Sequence, residues 1–239
     1  MQKNINIIKT ESYTQMSETC ARLIADEINN SNYSKTVLGL ATGSTPLGTY
    51  KKLADMYKQG AVDFANVTSF NLDEYYPISK NDASSYQAYM HRNLFDFINI
   101  DTVNINIPNG EALNSLTECR AYSQKLNTHS IDLQLLGIGM NGHIGFNEPD
   151  DKFTSATHLV TLTQSTIEAN RTHFQNGKTP PSHAITMGIK EIFRAKKIIL
   201  IADCTKKSIL EKALFSDITP QIPASILQLH KNLTVITVD

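Results

Sequence analysis

The chain has 239 residues, 41% of them hydrophobic, which is enough for one large globular domain with a sizeable core. Its 22 basic and 23 acidic residues give a net charge of −1, so charge supports neither a nucleic-acid partner nor a membrane surface, and no apolar run could span a bilayer. The three cysteines are odd in number and far apart, which argues against a disulfide framework and predicts a reduced, cytoplasmic protein.

Short β-type runs alternate with helical runs along the chain. In chain order, we predict a strand at 6–8, a helix at 16–28, a strand at 36–41, a helix at 45–57, a strand at 67–73, a helix at 84–98, a strand at 103–108, a helix at 116–129, strands at 131–139 and 158–163, a helix at 165–174, a strand at 196–203, a helix at 206–215 and a strand at 233–239. This alternation predicts an α/β fold with an open, mostly parallel sheet and helices on both faces. No linker, low-complexity stretch or repeat divides the chain, so we expect one domain over residues 1–239.

Gly137, Gly139 and Gly142 match the dinucleotide fingerprint G-x-G-x-x-G. In that fingerprint the third glycine opens a helix that holds the pyrophosphate, and an acidic residue ends the next strand. Here Gly145 and Pro149 disfavour a helix, and the next predicted strand ends in a threonine and a glutamine. We therefore expect a Rossmann-like fold that does not bind a dinucleotide.

The first polar loop follows the strand at 36–41 and contains Thr42, Gly43, Ser44 and Thr45. Its hydroxyls, its free N–H groups and the positive end of the next helix could bind a phosphate group. The loop lacks the G-K-[ST] of a nucleotide-triphosphate site. The alternative interpretation is an ordinary helix N-cap.

Asp73 and Glu74 form the second polar loop, at the end of the strand at 67–73. A carboxylate at the carboxyl edge of an α/β sheet is well placed to act as a general base. The alternative is a polar strand end with no catalytic role.

Asn141, His143, Asn147 and Glu148 lie in the third loop, a glycine-rich turn after a buried strand. His143 could transfer protons near neutral pH, and Glu148 could orient its imidazole. No serine or cysteine nucleophile is adjacent, and one histidine with scattered carboxylates is a poor metal site, so we predict neither an acyl-enzyme nor a metal. A structural histidine is the alternative.

The stretches "LATGSTP", "FNLDEYYP" and "LGIGMNGHIGFNEP", in this order and at these separations, resemble the glucosamine-6-phosphate deaminases. The resemblance runs nearly end to end and implies an enzyme that converts glucosamine 6-phosphate and water to fructose 6-phosphate and ammonia, without a redox step and without a cofactor. The related 6-phosphogluconolactonases have a similar phosphate loop and G-x-G-x-x-G-H, so a lactone hydrolase is the alternative activity. A sugar-phosphate sensor without catalysis is a third possibility.

The resemblance also implies a role for single residues. Asp73 matches the enolisation base, and His143 matches the group that opens the pyranose ring, with Asn141 and Glu148 as its support. Some relatives have Asp in place of Asn141, and the amide cannot supply a negative charge.

The expected phosphate ligands are Gly43, Ser44, Thr45 and Lys206. Arg171 is a weaker candidate, because the related arginine stands one position later in the pattern A-N-x-R. The region 157–160 lacks the basic residues of the allosteric relatives, so we expect a non-allosteric monomer or small homo-oligomer with a small-molecule substrate.

Overall fold

A computed structural model describes residues 5–31, 35–174 and 179–239. The strands are β1 (Ile5–Thr10), β2 (Thr36–Leu40), β3 (Val67–Asn71), β4 (Asp73–Tyr76), β5 (Ile105–Asn106), β6 (Leu133–Leu136), β7 (His158–Thr161), β8 (His183–Thr186), β9 (Lys197–Ala202) and β10 (Leu233–Val238). The α-helices are α1 (Tyr13–Asn29), α2 (Leu47–Lys58), α3 (Tyr86–Asn93), α4 (Ser115–Asn127), α5 (Gln164–Asn170), α6 (Ile189–Phe193) and α7 (Lys207–Phe215). Short 3-10 turns lie at Phe95–Phe97, Thr102–Asn104, Arg171–His173, Cys204–Lys206 and Pro223–Leu229.

Seven strands form one parallel sheet in the order β1-β10-β9-β6-β2-β3-β5. Every residue of β2, β3 and β6 is buried, as strands covered on both faces require. The predicted α/β fold is therefore confirmed. The strands β9, β6, β2 and β3 are neighbours, so the loops that follow them lie side by side at one edge of the sheet.

A second sheet, of three antiparallel strands in the order β4-β8-β7, was not predicted. The predicted strand at 67–73 is two strands, because the chain leaves the main sheet at Leu72 and enters the small one at Asp73. Asp73 pairs with Thr186 of β8, whose hydroxyl accepts a hydrogen bond of 3.0 Å from the Phe146 N–H. The small sheet thus ties the Asp73 strand to the turn that carries His143.

Several other predicted elements are shorter in the structure, among them the strand predicted at 131–139, which covers only Leu133–Leu136. The helix predicted at 84–98 ends at Asn93, because Leu94 leaves the helical conformation with a φ of −145°. The strand predicted at 103–108 pairs only over Ile105–Asn106. Among the described residues, no helix combines the length and the apolar character that crossing a bilayer requires.

Candidate active site

The loop at 42–45 joins the end of β2 to the start of α2. Gly43 has a φ of +100°, a conformation that side chains with a Cβ rarely adopt. The Tyr89 hydroxyl donates to the Gly43 carbonyl at 2.6 Å, and the Tyr13 hydroxyl lies 3.2 Å and 3.1 Å from the carbonyls of Ser44 and Thr45. The N–H groups of residues 43–45 donate to no acceptor in the described part of the chain. The loop therefore has free donors for an anion beside a helix N-terminus.

Asp73 and Glu74 are adjacent and both buried, but their surroundings differ. The Asp73 carboxylate receives no hydrogen bond from the described residues, and burial, together with the charge of Glu74, raises its pKa well above the ordinary value of 3.8. The Glu74 carboxylate accepts three backbone hydrogen bonds of 2.9 Å, from Tyr75, Tyr86 and Gln87. Burial raises the pKa of Glu74 to about 7, and these hydrogen bonds oppose the rise. Asp73 is thus available to a ligand, whereas Glu74 is engaged by the backbone.

The turn after β6 is shaped by glycines. A Cβ on Gly139 would lie 2.3 Å from Cε1 and Nε2 of His143, so only glycine lets the imidazole pack on this backbone. Gly142 and Gly145 have φ values of +86° and +57°. The Gly139 N–H donates to the His143 carbonyl at 3.0 Å, which closes the turn. The glycines that resemble a dinucleotide fingerprint therefore position a histidine.

Glu148 is the acidic neighbour of His143. Its Oε2 lies 3.6 Å from His143 Nδ1 and accepts a 2.7 Å hydrogen bond from Asn141 Nδ2. The backbone N–H of His143 donates to Asn141 Oδ1 at 3.2 Å. Burial disfavours the Glu148 charge, but the imidazole of His143 and hydrogen bonds from Thr166 and Asn141 lower the pKa of Glu148 to about 2. Glu148 is therefore an ionised neighbour of the histidine, and Asn141 holds it in place.

One cavity of about 630 Å³ brings most of the predicted residues together. It is lined by the loop 42–45, Asp73, Asn141, His143 and Lys206. This volume is within the usual range for a small-molecule site. Partial burial lowers the pKa of Lys206, and the carboxylate of Asp203 opposes the fall. A partly desolvated ammonium interacts more strongly with a phosphate than one in bulk water does.

Arg171 lies outside this cavity and its side chain is exposed. The next residue, Thr172, lines the cavity instead. Arg171 begins a 3-10 turn, in which one position rotates a side chain by about 120°, so the one-residue shift in the sequence pattern places the arginine on a different side of the turn from Thr172. The structure does not bring Arg171 to the other predicted phosphate ligands.

Sequence reasoning missed one wall of the cavity. Ser165, Thr166, Ala169 and Asn170 of α5 line it, together with Thr172. The polar pair Thr166 and Asn170 is spaced i, i+4 on one helix face, a pattern that could have indicated this wall. Tyr86 of α3 also lines the cavity and was missed, because nothing in the sequence shows which face of α3 meets the loops. Across the described ranges, no three His, Cys, Asp or Glu side chains converge as a metal-ligand set.

Comparison with known proteins adds an independent result. The family model for glucosamine-6-phosphate isomerases/6-phosphogluconolactonase matches residues 11–236. A Clostridium botulinum (strain Loch Maree / Type A3) protein named glucosamine-6-phosphate deaminase is 50% identical over 97% of this chain and 95% of its own length. A Lachnoclostridium phytofermentans protein of the same name is 50% identical over 97% of this chain and 98% of its own length.

The fold is similar to those of two solved structures, one at high and one at low sequence identity. A monomeric glucosamine-6-phosphate deaminase superposes with a TM-score of 0.94 at 40% identity, over 98% of this chain and 97% of that chain. A 6-phosphogluconolactonase from Thermotoga maritima superposes with a TM-score of 0.77 at 19% identity, over 98% of this chain and 99% of that chain, and shares the fold alone. From the extent of the family match and the identity to its relatives, this chain belongs to the family of glucosamine-6-phosphate isomerases and 6-phosphogluconolactonases.

Proposed function

We propose that this protein is a glucosamine-6-phosphate deaminase, which releases ammonia from glucosamine 6-phosphate and forms fructose 6-phosphate. The observation that carries the proposal is the single cavity shared by Asp73, His143, the loop 42–45 and Lys206. A sugar phosphate held at its phosphate end would present its ring to both a carboxylate and an imidazole. The relatives named as deaminases, at 50% identity, support the same activity.

His143 would open the pyranose ring. It takes the proton from the anomeric hydroxyl and delivers a proton to the ring oxygen, which breaks the C1–O5 bond and gives the open-chain aldehyde. The ionised Glu148, at 3.6 Å, stabilises the imidazolium that forms between the two transfers. Asn141 keeps Glu148 in position for this role through its 2.7 Å hydrogen bond.

Asp73 would move the proton from C2 to C1. Removing the C2 proton gives an enolamine, and returning the proton to C1 gives an imine at C2. Water then adds to the imine carbon and ammonia leaves, so the ketone oxygen comes from water. A base must be ionised to act, and the raised pKa of Asp73 makes its carboxylate a stronger base than an exposed one. No redox step occurs and no cofactor is used.

The loop 42–45 and Lys206 would bind the phosphate group. The free N–H groups of Gly43, Ser44 and Thr45 supply neutral donors, and the hydroxyls of Thr42, Ser44 and Thr45 add further ones. The Lys206 ammonium supplies the charge. Arg171 is not required in this arrangement.

The first test is ammonia release from glucosamine 6-phosphate by the purified protein with EDTA present. We expect release of one ammonia per fructose 6-phosphate formed, and the same rate with and without EDTA. A protein that leaves this substrate unchanged and hydrolyses 6-phosphogluconolactone would belong to the other branch of the family.

The second test concerns Asp73 alone. In D73N, exchange of the substrate C2 hydrogen with solvent should slow by about 10²–10⁴-fold, the usual contribution of a general base. The affinity for fructose 6-phosphate should change little, because the amide fills the same space as the carboxylate. The matched control is Asp217→Asn, an exposed carboxylate outside the cavity. Wild-type exchange in D73N would contradict the assigned role.

We also propose that the enzyme is a monomer without allosteric regulation, since one solved structure that it resembles at 40% identity is described as a monomeric glucosamine-6-phosphate deaminase. Light scattering after size exclusion should give the mass of one chain, 26.6 kDa. The rate should depend hyperbolically on substrate, and N-acetylglucosamine 6-phosphate should not change the shape of the curve. A larger assembly, or a sigmoidal curve that this compound straightens, would overturn the proposal.

A further inference from the structure

The Glu74 carboxylate caps the N-terminus of α3, which begins 12 residues later in the chain. Its Oε1 accepts from the Tyr86 N–H and its Oε2 from the Gln87 N–H, both at 2.9 Å, and these are the first two residues of α3. The third N–H of the helix, that of Ala88, already donates to the local N-cap, Ser85. Helices are usually capped by nearby residues, whereas Glu74 reaches α3 from the strand β4.

The helix that Glu74 caps reaches the phosphate loop. Tyr86 lines the cavity with Thr42, and the Tyr89 hydroxyl donates to the Gly43 carbonyl at 2.6 Å. This hydrogen bond fixes the position of Gly43, whose N–H donates to no acceptor among the described residues. A displacement of the first turn of α3 would move Tyr86 and Tyr89 and would release this constraint.

Burying the Glu74 carboxylate carries a desolvation cost. Glu74 is 2% exposed, and a carboxylate so deeply buried is retained only when it is hydrogen-bonded. Its neighbour Asp73 faces the cavity from the same strand. The connection therefore runs from the strand that carries Asp73, through Glu74 and α3, to the loop that we assign to the phosphate.

We propose that Glu74 is a positioning residue that holds the phosphate loop, through α3 and Tyr89, at a fixed distance from Asp73. The inference rests on the proposed function, because it assigns phosphate binding to the same loop. Glu74 touches no substrate in this arrangement. Its effect is on the affinity for the phosphate group, and the chemical step depends on it less.

The variant Glu74→Gln tests this. The amide cannot accept at both positions, so one helix N–H loses its partner. We expect KM for glucosamine 6-phosphate to rise about tenfold, the equivalent of one hydrogen bond to a charged group, while kcat changes by less than about threefold. A general loss of structure would lower kcat and the fraction of active enzyme instead. The dissociation constant of fructose 6-phosphate, measured by calorimetry, should rise by the same factor as KM.

A double-mutant cycle with Tyr89→Phe tests whether Glu74 acts on the loop 42–45 through Tyr89 or whether the two residues affect phosphate binding independently. Y89F removes only the hydroxyl that engages Gly43, and it should raise KM to a similar degree. If Glu74 acts through α3 and Tyr89, the KM of the double variant should not exceed that of the single variant with the higher KM. If the two effects on log KM are additive, Glu74 does not act through Tyr89 and the inference is wrong.

The matched control is Glu111→Gln. Glu111 is an exposed carboxylate that lines the same small surface cavity as Glu74. It accepts from the Ser79 hydroxyl at 2.9 Å, and among the described residues it has no hydrogen bond to α3 or to the loop 42–45. The KM of E111Q for glucosamine 6-phosphate should equal that of the wild type. If E74Q does not fold, Glu74→Asp replaces it, because it keeps the charge and withdraws the carboxylate by one methylene, with the same expected rise in KM.

The outcomes distinguish this inference from the proposed function. Wild-type KM in E74Q or its replacement, in an enzyme that releases ammonia, overturns the inference and leaves the function intact. A wild-type protein that releases no ammonia overturns the function. In that case the dissociation constant of inorganic phosphate still tests the inference, which stands if E74Q raises this constant and falls if it does not.

Discussion

Neighbouring residues in this site have opposite surroundings, and this contrast separates their roles. Asp73 has no hydrogen-bond donor among the described residues, whereas Glu74, one position later, has three. A buried carboxylate without partners is held at a free-energy cost, and such residues concentrate at functional sites. The residue pattern showed only that two acids end a strand, and the choice of Asp73 came from the family resemblance. Only the pleat of β4 and the position of α3 decide which acid faces the cavity, and both depend on tertiary packing.

The raised pKa of Asp73 predicts a dependence of stability on pH. A native pKa above the unfolded value of 3.8 means that the native state binds the proton more tightly, so stability falls as pH rises from 3.8 through the native pKa. D73N has no such proton. It should therefore be more stable than the wild type at neutral pH and equally stable near pH 3, and the difference should reach about 1.4 kcal/mol for each unit of the pKa rise once the pH exceeds the native pKa.

Urea unfolding at a series of pH values measures this difference. The exposed Asp217→Asn variant should follow the wild type at every pH. If D73N is less stable than the wild type at neutral pH, the buried charge is compensated in the native state and the assigned surroundings of Asp73 are wrong.

Among the secondary-structure elements, the sequence predicts the helices and strands that have a periodic apolar pattern. It misses those whose formation depends on contacts with distant parts of the chain. The long runs became α1, α2, α4 and the strands of the parallel sheet because their apolar patterns match their own geometry. The antiparallel strand β8 was missed, because its four residues are too few to show a clear alternation of apolar and polar side chains. The prediction that residues 137–148 form no helix is confirmed, and Gly145 and Pro149 both disfavour a helix there.

Glycine at position 139 predicts how that turn responds to substitution. A Cβ in G139A would lie 2.3 Å from the His143 ring, so either the ring or the backbone must move. Overpacking of this kind costs about 1–3 kcal/mol, and a displaced catalytic group costs about 10²-fold in rate. We expect G139A to lower both the melting temperature and kcat.

Gly137→Ala is the matched control for the melting temperature. A Cβ at Gly137 meets no atom within 4 Å and its φ is not positive, so the melting temperature should stay at the wild-type value. If G139A has the melting temperature and the kcat of the wild type, the imidazole does not pack on Gly139 as the structure places it.

Considered as a whole, the site exists only when four neighbouring parallel strands are in register. The loop 42–45 follows β2, Asp73 follows β3, His143 follows β6 and Lys206 follows β9, and these strands adjoin one another. The sequence predicted this convergence, because loops after parallel strands meet at one edge. It could not predict that Arg171 points away, since a one-residue shift is resolved only by where α5 ends.

Because the site joins distant parts of the chain, a ligand that fills it should stabilise the whole molecule. Fructose 6-phosphate binds only the folded state, so at 100 times its dissociation constant it should add about 2.7 kcal/mol, or about 5–11 °C in melting temperature for a chain of this length. K206A should lose most of this shift at the same concentration, because it removes a charged phosphate contact of about 1.5–3 kcal/mol. K207A and R171A remove exposed cations outside the cavity and should keep the full shift. Equal shifts in K206A and K207A would mean that the phosphate does not contact Lys206, and a shift lost in R171A would mean that the end of α5 moves when the sugar phosphate binds.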